Sequence, residues 1–340
     1  MSTLEYKAPA WLPGGHAQTI WPALFARRKF GPVLPKVRER WTAPDGDFID
    51  VDRQNASTPD KPLMVLFHGL EGSSSSHYAQ AFADWAAEQD VHFALPHFRG
   101  CSGELNHGPR AYHSGDHQEI HWVLEKLRQQ HVQQGGQTLV AAGVSLGGNA
   151  LMRWAAEHGQ QAVRCADAIA SICAPLDLTE SGKAIGRGLN RQIYTRMFLR
   201  SMKPKAMAKL AQHPGLFDAE KLMAARDLYA FDNVFTAPVH GFKNTDDYWS
   251  KASAKPLMQE IHLPALALNA RNDPFVPASS LPREQDVSQS VTLWQPPHGG
   301  HVGFAQGAWP GHVRGLPDEV GGWLMNAAGK PMLKRMPTHG

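Results

Sequence analysis

The stretch from Thr138 to Glu157 constrains the fold more than any other part of the chain. An apolar run, Thr138-Leu139-Val140-Ala141-Ala142-Gly143-Val144, ends at Ser145, and a helix-like run from Asn149 to Glu157 follows at once. A strand that stops at Gly143-Val144-Ser145-Leu146-Gly147 and turns straight into a helix has the G-x-S-x-G pattern of a nucleophile elbow. Such a turn strains the serine backbone and lifts its hydroxyl above the sheet. Glycine on either side lets strand and helix approach closely. Gly143 and Gly147 therefore read as geometry and Ser145 as chemistry. Two glycines around a serine also recur by chance in a chain with 31 glycines, so the partners of a serine nucleophile decide the reading.

The rest of the pattern predicts where those partners would sit. Leu63-Met64-Val65-Leu66-Phe67 is a continuous apolar run, as expected of a strand buried on both faces. Further strands are predicted at His92 to Leu95, Ala166 to Cys173, Leu263 to Leu268 and Val291 to Trp294. Helical spacing covers His77 to Gln89, Ser114 to Gln130 and Asp318 to Asn326. Repeated strand–helix units imply an α/β fold with a mostly parallel central sheet and helices on both faces. Ahead of them, Arg38 to Ala43 and Phe48 to Arg53 flank a Pro44-Asp45-Gly46-Asp47 turn and predict a hairpin.

Residues 178–260 break the alternation, with helical composition at Arg191 to Met202, Ala206 to Gln212 and Asp218 to Leu228 and no convincing strand. A helical insertion between two strands is expected to form a lid that shapes a pocket. Its Tyr194, Met197, Phe198, Met202 and Met207 are candidates to line an acyl pocket, with packing within the lid the expectation. The expected division is an arm (1–35) that packs aromatics on the body, a core (36–177 and 261–328), the lid (178–260) and a tail (329–340).

Composition narrows the class. A net charge of +3 gives no argument for a nucleic-acid partner. The runs Arg27-Arg28-Lys29 and Lys330 to Arg335 read as solvated faces. Three cysteines without metal-ligand spacing point to a reducing compartment. Residues 1–30 lack a signal-peptide pattern, and no apolar stretch approaches the ~20 residues of a membrane-spanning helix. A cytoplasmic protein without an integral membrane segment is the expectation. Among 18 histidines, His113, His117 and His121 fall at i, i+4 and i+8, which would place them on one face of a helix. Such a stripe rarely closes a tetrahedral metal site unaided, so capping and surface roles are expected and no metal.

A serine nucleophile needs a base, an acid that orients the base, and donors for the oxyanion. In strand–helix hydrolases the chain order is Ser, acid, His. Asp273 follows the strand Leu263 to Leu268, at a sheet edge where catalytic groups gather, and Pro274 keeps it out of a helix. After the last strand come two histidines, in His298-Gly299-Gly300-His301. His301 is the candidate base, because the two glycines let the loop fold it back over the sheet. His298, beside Pro296 and Pro297, reads as a loop-stabilising residue. The oxyanion donors are expected to be the Leu146 amide after the nucleophile and the Leu70 amide in Phe67-His68-Gly69-Leu70. His68 is expected to order that loop.

Several segments go beyond these general signals: Pro13 to Thr19, Asp45 to Asp50, Phe67 to Gly72, His97 to Glu104, Tyr112 to Gly115, Gly143 to Asn149, Asp273 to Phe275 and His298 to Phe304. With them the chain resembles, over nearly its whole length, the YheT-like branch of the α/β-hydrolases, related to ABHD3-type and EMB8-type proteins. The resemblance implies Ser145 as nucleophile, Asp273 as acid and His301 as base of a serine esterase acting on a small-molecule acyl ester without a cofactor. Eukaryotic relatives act on acylglycerols or phospholipids, and some fungal ones transfer acyl chains to alcohols. An acyltransferase is thus the alternative of the same chemistry, and a non-catalytic scaffold the alternative of another class. Arg99 is expected to hold either an anionic substrate group or a loop salt bridge, and Cys101 to be buried packing.

Overall fold

The computed structural model describes residues 4–31 and 34–330. Its strands are β1 (Val37–Thr42), β2 (Phe48–Gln54), β3 (Leu63–Phe67), β4 (His92–Pro96), β5 (Leu139–Val144), β6 (Ala168–Ile172), β7 (Ala265–Leu268) and β8 (Val291–Trp294). They form one sheet in the order β1-β2-β4-β3-β5-β6-β7-β8. The predicted hairpin pairs Val37 with Arg53 and Thr42 with Phe48, and β2 runs antiparallel to β4. Every other pairing is parallel, so the loops after β3, β5, β7 and β8 share one edge of the sheet.

Alternation along each strand divides the core between two faces. Leu63, Val65 and Phe67 of β3 pack with Leu139 and Ala141 of β5 beneath α3 (His117–Gln133) and α4 (Leu146–His158). Met64, Leu66, Val140, Ala142 and Val144 face the opposite way, against α2 (His77–Glu88) and the helix Gly315–Ala327. All five β3 residues are buried, as the unbroken apolar run predicts.

α3 begins at His117 rather than near Ser114. At Gly115 the chain lies so close to Ala252 that an added Cβ would fall 2.7 Å from the Ala252 Cβ, and this approach replaces the first helical turn. The histidine stripe is broken as a result. His113 packs on His240, Phe242 and Tyr248, while His117 and His121 face His158 from α3. Among the described residues no group of three or more His, Cys, Asp or Glu side chains is placed to hold a metal ion.

Between β6 and β7 the regular structure is helical throughout, from Leu178–Ile185 to Lys255–Glu260. Buried Asn149 anchors the return of this segment. Its amide donates to the Ser114 and Ala252 carbonyls, and its oxygen accepts from the Ala254 N–H.

Candidate active site

The elbow forms as its glycines require. Ser145 sits at φ 52, ψ −116, a conformation that is costly for a residue with a side chain. A Cβ on Gly143 would lie 2.4 Å from the Gly147 carbonyl oxygen, and one on Gly147 would lie 2.5 Å from that of His68. The strained turn is held from below by the Ser145 N–H, which donates to the Ile172 carbonyl at 2.8 Å. α4 starts immediately at Leu146, earlier than the predicted Asn149.

Three loops converge on the serine. His301 Nδ1–H donates to Asp273 Oδ2 at 2.8 Å, which leaves Nε2 to accept from the Ser145 hydroxyl at 3.0 Å. The other Asp273 oxygen accepts from the Phe275 N–H at 2.7 Å, so the carboxylate is aimed by its own loop. Phe275 stacks on the His301 ring with centroids 4.1 Å apart. His298, the competing histidine, is exposed and takes no part in these hydrogen bonds.

Two amides flank the same space. Leu146 is the first residue of α4, so its N–H has no partner within the helix. In the loop after β3, the N–H groups of Gly69 and Glu71 donate to the hydroxyls of Tyr78 and Tyr112. The Leu70 N–H between them makes no such bond among the described residues. His68 orders this loop from below: its Nδ1–H donates to the Gly69 carbonyl, and its Nε2 accepts from the Phe98 N–H. Complete burial pulls the His68 pKa down to about 3, so the ring is neutral.

A contribution that the sequence pattern did not reveal comes from the arm. Its helix α1 (Gly14–Leu24) packs buried Gln18 and Thr19 against the His301 loop. Gln18 Oε1 accepts from the Gly299 N–H and Thr19 Oγ1 from the His301 N–H, each at 2.9 Å. Asn272, beside Asp273, accepts the Gly300 N–H and donates to the same Gln18 oxygen. At Gly303 the approach is closest, since a Cβ there would fall 1.7 Å from the Gln18 carbonyl oxygen. On the far side, His77 Nε2–H donates to the Val302 carbonyl. Three successive amides and one carbonyl of the histidine loop are thus fixed by other parts of the chain. Gln18→Ala is expected to lower kcat about tenfold with KM nearly unchanged, because a small misplacement of a catalytic group is costly. Steady-state kinetics on a soluble ester would check it, with circular dichroism to establish folding.

The comparisons with known proteins agree with this architecture. The family model of the alpha/beta hydrolase fold matches residues 62–308. YheT of Escherichia coli (strain K12), provisionally named as an esterase, is 35% identical over 314 residues, covering 91% of this chain and 89% of YheT. The chain belongs to the α/β-hydrolases, in the YheT-like branch. Human phospholipase ABHD3 is 27% identical over 91% of this chain and 75% of its own length. The monoacylglycerol lipase of Saccharomyces cerevisiae is 28% identical over 72% of this chain and 55% of its own length. Among solved structures, Est1E of Butyrivibrio proteoclasticus with bound ferulic acid shares the fold at a TM-score of 0.54 and 16% identity, covering 86% of this chain and all of Est1E.

In this α/β-hydrolase the space above Ser145 is a largely apolar cavity of about 160 Å³. Ser145, His301, Leu70 and Leu146 border it, and Phe198, Met202, Phe231 and Phe235 of the helical insertion form much of the wall. Of the five insertion residues read as internal packing, Phe198 and Met202 thus reach the cavity. Tyr194 is buried against Phe275, Met207 packs within the insertion, and Met197 is exposed. Two half-buried acids, Glu71 and Asp232, also line the cavity; the Asp232 carboxyl accepts from Thr236 and Trp249, and desolvation raises its pKa to about 6.

Two further residues resolve plainly. The Arg99 guanidinium is buried and held by Asp45, Asp47 and Glu119, so the loop salt bridge replaces the role of an anion receptor. Cys101 is buried and its thiol is pushed up to about 12 by desolvation, which keeps it protonated and unreactive.

Proposed function

We propose that this chain is a serine carboxylester hydrolase acting on short- to medium-chain or lipid-like acyl esters. The observation that carries the reading is the continuous relay from Ser145 Oγ to His301 Nε2 at 3.0 Å and from His301 Nδ1 to Asp273 at 2.8 Å. Ser145 attacks the ester carbonyl as its proton passes to His301, and the buried carboxylate of Asp273 stabilises the imidazolium that forms. The carbonyl oxygen becomes an anion, bound by the Leu70 and Leu146 amides; a donor of this kind contributes ~3 kcal/mol to the transition state. His301 returns the proton to the leaving alkoxide. Water, deprotonated by the same ring, then releases the acid and frees the serine. Side chains and amides supply each step, so the scheme calls for no cofactor.

The apolar cavity supports an acyl group as the part of the substrate held nearest the serine. Residues 178–260 act in this reading as a lid that supplies one wall. The names phospholipase and monoacylglycerol lipase among the relatives agree with a lipid-like ester. Among the described residues no helix is long and apolar enough to cross a membrane. A cytoplasmic setting fits the three free, buried cysteines.

A p-nitrophenyl ester series tests acyl specificity, with kcat/KM expected to rise with chain length to a limit set by the cavity. Product analysis with added ethanol or glycerol tests the acyl acceptor. Free acid as the main product supports hydrolysis, and an ester of the added alcohol as the main product would make the protein an acyltransferase.

A further inference from the structure

Eight of the chain's 34 Lys and Arg residues lie between Ser181 and Phe217, a stretch without a single Asp or Glu, although the whole chain carries only +3. Four of these cations are satisfied locally. Lys183 pairs with Glu180 and Lys205 with Glu71, while Lys203 and Lys209 donate to backbone carbonyls. The other four, Arg187, Arg191, Arg196 and Arg200, are exposed and have no side-chain partner among the described residues.

Arg187 immediately precedes, and Arg191, Arg196 and Arg200 sit on, a helical stretch that runs without a break from Gly188 to Gln212 and includes a π-helical segment at Arg191–Thr195. Between them the same outer side exposes Leu189 (65%), Ile193 (40%) and Met197 (55%). The inner side buries Tyr194, Thr195 and Leu199, and Phe198 and Met202 reach the cavity above Ser145. α1 touches this stretch through the His16–Tyr194 contact and the packing of Ile20, and one turn further on it exposes Leu24 and Phe25.

We propose that this outer face is a docking surface for an anionic lipid bilayer. Unpaired arginines alternating with exposed aliphatic side chains along a helix are the arrangement of interfacial helices. The apolar residues enter the headgroup–acyl boundary, and the guanidinium groups reach back to the phosphates. An acidic peptide or a nucleic acid would match the arginines but leave the exposed Leu189, Ile193 and Met197 in water. Docking in this pose sets the cavity wall, on the other side of the same helix, beside the lipid. It thereby deepens the proposed esterase reading by naming the source of the substrate, while the docking itself needs no serine chemistry.

The test is flotation with vesicles of phosphatidylcholine alone and of phosphatidylcholine mixed with phosphatidylglycerol. It uses both the wild-type chain and Ser145→Ala, so that binding is read separately from catalysis. Binding to the anionic vesicles only is expected, with loss in ~1 M salt, where the Debye length is about 3 Å. Each arginine near such a surface contributes a factor of about five, so Arg191→Ala/Arg196→Ala is expected to lower partitioning roughly 25-fold. Ile193→Ser/Met197→Ser is expected to weaken it further from the apolar side. Unchanged turnover of p-nitrophenyl butyrate in these variants would show that they fold. Equal binding to both vesicle types, no binding to either, or unchanged partitioning of the arginine variant would overturn the proposal. So would retention on RNA without vesicle binding.

Discussion

Ser145→Ala and His301→Ala are each expected to lower kcat on p-nitrophenyl butyrate by about 10⁴- to 10⁶-fold, and the double variant by no more than either alone. On the proposed mechanism the two side chains form one device. Without the ring, the serine hydroxyl has no acceptor for its proton, because His301 Nε2 is its only side-chain partner among the described residues. Without the hydroxyl, the ring has nothing to activate. Losing the second part of a broken relay therefore costs little. His298→Ala is expected to stay within about twofold of wild type, since that ring is exposed and outside the relay. Loss of activity in His298→Ala with retention in His301→Ala would reverse the assignment of the base.

Asp273→Asn is expected to cost about 10⁴ in kcat while leaving the fold intact. One oxygen of the native carboxylate accepts the Phe275 N–H and the other accepts His301 Nδ1–H. An asparagine that keeps its oxygen on the Phe275 amide turns its NH₂ toward Nδ1. The ring must then carry its proton on Nε2, where it faces the serine and blocks proton abstraction. KM is expected to change far less than kcat, because the side chain orients the base without touching substrate. A parallel rise in KM would place Asp273 in substrate binding instead.

How much of this was legible in the sequence depended on whether a residue's task leaves a local pattern. Continuous apolar runs mark strands covered on both sides, and β3 and β5 lie where such runs predict. Ser145 lies between two glycines whose missing Cβ atoms are required by backbone within 3 Å. Asp273 and His301 follow strands that end at the same sheet edge, so chain order alone brought them into consideration. Gln18 and Thr19 left no such trace. They hold backbone N–H groups about 280 positions away, and an amide acceptor has no sequence signature. The histidine stripe misled for the converse reason. Helical spacing is local, whereas the contact of Gly115 with Ala252 that removes the first turn is tertiary. The basic face of the insertion was diluted in a near-neutral total and became visible only once the partners of each cation were known.

The central claim is that Ser145 is an activated nucleophile, and covalent labelling tests it most directly. A fluorophosphonate probe is expected to modify the wild-type protein at Ser145, to leave Ser145→Ala unmodified, and to react much more slowly with His301→Ala, with the adduct mapped by peptide mass spectrometry. Absence of labelling in the folded wild-type protein, or an adduct on any residue other than Ser145, would contradict the account.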